Sequence, residues 1–141
     1  MTVSYTTTLR NNRLDEITTL AGATAWLQIW KGAIPAAPDT APAVETVPMA
    51  SLALANPISA AASSGTPGQI DIGLAGITDD TSAALSGTPT FARIATSETG
   101  TTTGILQMTC GTAAEDLVFD ADIVSGGTVA VTALTITDAS S

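Results

Sequence analysis

The chain has 141 residues, which suits one domain with a core large enough to bury well over half of its unfolded surface. Four basic against 13 acidic residues give a formal charge of −9, which argues against nucleic acid and against anionic membranes, since both reward a cationic footprint. Hydrophobic residues make up 45% and charged residues only 12%, so the composition describes an aliphatic core under a hydroxyl-rich surface and not a disordered chain.

Residues 1–7 read as an extended arm or edge strand, with Val3 and Tyr5 apolar enough to pack on something. Thr7 or Thr8 offers a hydroxyl to the free amides of a first helical turn. A helix is predicted over about residues 8–21, with Leu14, Ile17 and Ala21 on one stripe and Gly22 placed to end it. Arg13 and Glu16 sit three apart on the opposite side, a weak supporting pair.

Residues 26–31 read as a strand, with Leu27 and Ile29 on one face and Trp26, Gln28 and Trp30 on the other. Two tryptophans on the nominally wet face either cover the helix or anchor a partner, because Trp is enriched at interface hot spots. Residues 33–48 carry Pro35, Pro38, Pro42 and Pro48. Proline at this density fixes extended backbone and removes ladder donors, so a long surface loop is expected. A loop of this length has either a task, such as reaching a neighbour, or none at all.

Residues 49–56 form a strand pairing Leu52 with Leu54, and an Ala, Ser and Gly-rich loop follows. The cleanest alternation is Ile70, Ile72 and Leu74 within 69–77. Residues 91–96 and 104–110 are predicted to pair across the turn SETGTTT. The last quarter, residues 116–138, reads as two strands around Ser125-Gly126-Gly127. Its parity changes, because Val129 and Val131 are odd while Leu134 and Ile136 are even. Either both faces are buried there or a bulge near Ala133 resets the register. Seven or eight short strands between Gly, Pro, Ser and Asp clusters predict a mainly β domain, an antiparallel β-sandwich or jelly roll spanning 1–141 with one N-terminal helix.

The chemistry is sparse. Without histidine, most general-base, metal and triad arrangements are missing. Glu115, Asp116, Asp120 and Asp122 lie close in sequence, but the spacing of a calcium loop is absent, and a paired-carboxylate glycosidase lacks aromatic platforms. The single Cys110 excludes an intrachain disulfide and reads as a small buried hydrophobe, since a catalytic thiol wants a basic partner. Residues 1–5 lack the start of a secretory signal, and no apolar run approaches a membrane span. No enzyme and no cofactor are expected, and synthesis in the cytoplasm is.

The segments LRNNRLDEITTLAG, LQIWKGAIPAAP, FARIATSETGT and DLVFDADIVSGGTVAVTALTIT, in that order, resemble a family of small virion structural proteins of tailed bacteriophages. The usual arginine of the loop after the first strand is Ile34 here. The resemblance implies a capsid cement or decoration protein: a homotrimer that binds the major capsid protein on the outside of the shell and bridges its subunits, in a particle assembled in the host cytoplasm. It places binding on the arm (Val3, Tyr5), on the proline-rich loop (Pro38, Pro42), and on Trp26 or Trp30. A head–tail connector or tail component is the alternative within a virion, and a carbohydrate- or receptor-binding module the alternative outside it.

Overall fold

A computed structural model of the protein describes residues 4–62, 65–73, 76–112, 115–131 and 133–138. Its only α-helix among them, α1, runs Thr7–Ala21. The cap is Thr6, one residue earlier than the expected candidates, because its hydroxyl lies three residues before the Leu9 amide and accepts from it at 3.3 Å. Gly22 ends the helix at φ 64°, a conformation that only glycine adopts cheaply. Leu14 and Ala21 are buried and Ile17 is half-buried, as the stripe predicts. Polar bonds do much of the remaining docking. Asn11 accepts from the Gly68 amide at 2.8 Å, Asp15 accepts from the Ala62 amide at 2.7 Å, and Thr18 meets Ser59 at 3.2 Å. Arg13 pairs with Asp138 at 3.2 Å, and Arg10 donates to the Asp138 carbonyl at 2.6 Å.

The strands are β1 Trp26–Trp30, β2 Ala50–Leu54, β3 Gln69–Gly73, β4 Ile77–Thr78, β5 Phe91–Ala95, β6 Gly104–Gly111, β7 Leu117–Val118 and β8 Ala133–Thr137. Six form one sheet in the order β4-β2-β1-β5-β6-β7, and β3 pairs with β8 in a separate two-stranded sheet. The domain is thus mainly β with one helix. Alternation sorts the large sheet: Leu27, Leu52 and Ile94 are in register and fully buried on one face. Ile72 of β3 and Leu134 of β8 belong to the same apolar cluster. No helix among the described residues is long and apolar enough to cross a membrane.

Three expectations about pairing are corrected. The sheet is not purely antiparallel, since β6 and β7 run parallel, with Cys110 beside Leu117 and Gly111 beside Val118. The Asp116 carboxylate takes both the amide and the hydroxyl of Thr109 at 2.9 Å, which folds the chain back so that β7 resumes the direction of β6. The last quarter is not a hairpin of two partner strands. Its turn exists, with Gly126 at φ 77° and the Gly127 amide bonded to the Val124 carbonyl at 2.8 Å. Its arms bridge elsewhere, Ile123 to Gly87 and Val129 to Asp80, while β8 pairs with β3. The parity change falls between these two pairings, so Val129, Val131 and Leu134 are all buried. The long strand expected over 69–77 is two strands, and Leu74 lies outside the described residues.

Candidate partner-binding surface

The second face of the large sheet carries a polar ladder. Gln28 of β1, Arg93 of β5 and Gln107 of β6 stand in register across three adjacent strands. Gln28 and Arg93 are both fully buried. A buried charge is tolerated only when its donors are satisfied, and here they are. Arg93 donates from Nε to the Gln107 side chain at 3.1 Å and from Nη1 to the Thr101 carbonyl at 3.0 Å. Its Nη2 donates to the carbonyls of Thr40 at 2.7 Å and Ala37 at 3.4 Å. Gln107 donates onward to the Pro35 carbonyl at 2.9 Å. Gln28 donates to the carbonyls of Ser97, Gly100 and Glu98 at 2.8, 3.1 and 3.2 Å, and its own oxygen accepts from the Trp30 indole at 3.1 Å. Burial pushes the Arg93 pKa down, and the nearby Asp39 carboxylate opposes that shift. The guanidinium stays charged, as arginine does in proteins.

This ladder organises two loops. The turn at 97–103 is held by Gln28 and Arg93, and the proline-rich strap at 33–48 by Arg93 and Gln107. The strap also leans on Gly104, where a Cβ would collide with the Pro38 carbonyl. At its base Lys31 pairs with Glu45 at 3.5 Å. Because the strap turns carbonyls inward, its apolar side chains face out: Ile34, Val44 and Val47 are 47, 78 and 37% exposed. A shallow groove of about 500 Å³ runs between strap and turn, lined by Leu20, Pro38, Asp39, Thr103 and Ile105 among others.

The expected site residues do not converge. Val3 lies outside the described residues. Tyr5 is 40% exposed at the start of the helix, with the Arg13 guanidinium 5.0 Å from its ring centre. Trp26 is half-buried between Ala53 and Ala95. Trp30 is fully buried, stacked on Phe91 at 6.1 Å, and offers no surface to a partner in this conformation. It covers a sheet face beside Arg93 rather than the helix. Pro38 and Pro42 are half-buried in the strap. Sequence reasoning missed all three: it set Gln28 on the nominally wet face and gave Arg93 and Gln107 no role. The signal was there: central strands whose second face alternates long polar side chains with Trp30 and Phe91.

All four cations are engaged internally, at Asp138, Glu45 and the strap carbonyls. Among the described residues no three His, Cys, Asp or Glu side chains are grouped to hold a metal. The Cys110 thiol is pushed up to about 12 by burial and by the Glu115 charge, so it is a poor nucleophile. No protein-family model, no curated protein and no solved structure matches this chain.

Proposed function

We propose that this chain is a structural protein of a tailed-bacteriophage particle, a capsid cement protein that binds the outer shell and bridges neighbouring major capsid subunits. The observation that carries the reading is the strap: an exposed aliphatic surface whose backbone is fixed from below by a buried arginine. Such a surface suits binding without chemistry, because its ordering cost is met during folding rather than at the encounter. Self-association into trimers belongs to the same proposal, since modest contacts repeated over three subunits gain avidity. So does a sandwich description of the fold, with the β3–β8 ribbon as the second layer over Leu27, Leu52 and Ile94. Tyr5 and the strap, with Pro38 and Pro42, are the proposed contacts, and Trp30 is not among them.

Quantitative mass spectrometry of purified particles tests the role. Hundreds of copies per particle are expected, and a ring of six or twelve would instead favour a connector or tail component. Val44→Asp tests the surface. It is expected to abolish co-sedimentation with shells while leaving the thermal midpoint unchanged, and retained binding would remove the strap from the interface.

A further inference from the structure

The strap is attached to the sheet differently from every strand. Among the described residues, the one backbone hydrogen bond made within 33–48 joins the Thr40 amide to the Ala37 carbonyl inside the strap itself. Its attachment to the domain consists of side-chain bonds from Arg93 and Gln107 to three carbonyls, plus the ion pair of Lys31 with Glu45. Its ends are pinned. Thr90 donates from its hydroxyl to the Gly32 carbonyl at 2.8 Å, and the Met49 amide bonds to the Ile29 carbonyl at 2.7 Å. Gly32 sits at φ 95° with nothing near the position of a Cβ, so the first pivot is unobstructed.

We propose that residues 33–47 are a hinged lid over the Trp30–Phe91 face, latched by Arg93 and Gln107, and that the lid opens as one unit while the sheet stays folded. Opening breaks no ladder bond. It exchanges bonds to carbonyls for bonds to water and returns hydration to a guanidinium whose burial opposes its charge, so its cost is a fraction of global unfolding.

Hydrogen exchange by NMR on the intact chain tests the lid. The Gln107 side-chain amide, which donates to the Pro35 carbonyl of the lid at 2.9 Å, reports lid opening, and the Ile94 amide, in the middle of the sheet, reports unfolding. The Gln107 amide is expected to be at least about tenfold less protected than the Ile94 amide and to depend more weakly on denaturant. Gly104→Ala, which wedges a methyl against the Pro38 carbonyl, is expected to lower Gln107 protection about tenfold, the equivalent of one lost hydrogen bond, with Ile94 unchanged. Equal protection and equal denaturant dependence at both sites would overturn the lid. So would a Gly104→Ala effect shared equally by the two groups.

Discussion

Replacing Arg93 by lysine isolates what the guanidinium does from what its charge does. The native group reaches four acceptors in three directions: Gln107 beside it, Thr101 in one loop, and Ala37 with Thr40 in the other. An ammonium on a shorter lever cannot span both loops. At least two charge-assisted bonds are therefore lost, at about 1.5 kcal/mol each, so the expected destabilisation is about 3 kcal/mol. In a chain of this size that moves the thermal midpoint by roughly 9 °C, taking about 3 °C per kcal/mol. Urea unfolding followed by circular dichroism, with calorimetry for the midpoint, reads it directly. Arg93→Met is the second arm, because it removes the desolvated charge but leaves the same carbonyls without a donor. If Arg93→Lys and Arg93→Met both unfold within about 0.5 kcal/mol of the native protein, the ladder is not what holds the loops, and the reasoning fails.

Leu27→Ala, at the centre of three registered strands and fully buried, is expected to cost about 2–5 kcal/mol by denaturant titration; less than 1 kcal/mol would mean the core lies elsewhere. Cys110 should resist thiol reagents at pH 8 until the protein unfolds, and fast labelling of the native state would contradict its burial. Its pKa is higher folded, about 12, than its ordinary 9.0, so the unfolded chain ionises first. That contribution to stability is complete below pH 9 and is lost as pH rises toward 12, an effect that Cys110→Ala should remove. Asp71 is held below its ordinary 3.8 by hydrogen bonds from Thr135 and Gln69, so Thr135→Val should raise its titration midpoint by NMR. The corresponding stabilisation is present above pH 3.8 and fades only as pH falls through the lowered value.

Local features were legible where one residue type decides them. The helix, its Gly22 terminus, the β5–β6 hairpin and the turn at Gly126 follow from side-chain periodicity and from glycine's tolerance of positive φ. Pairing was not legible where it joins distant segments. Alternation in 129–137 says which side chains are buried but not which strand lies alongside, and β8 finds β3 across more than sixty residues. The parallel β7 turns on one carboxylate, Asp116, that no periodicity announces. The strap was recognised as a long proline loop. Its support was missed because Arg93 and Gln28 occupy positions that alternation marks as solvent-facing, and only the fold shows that a loop returns to cover them.

The tie between α1 and β8 has a consequence for biosynthesis. Leu14 and Ile17 share their cluster with Ile136, and Arg10 and Arg13 are both committed to Asp138, 128 residues after Arg10. α1 therefore has no complete docking site until β8 has been synthesised. Until then it is a short, exposed, marginal helix. Docking of α1 against β8 should then be a late step of folding on the ribosome.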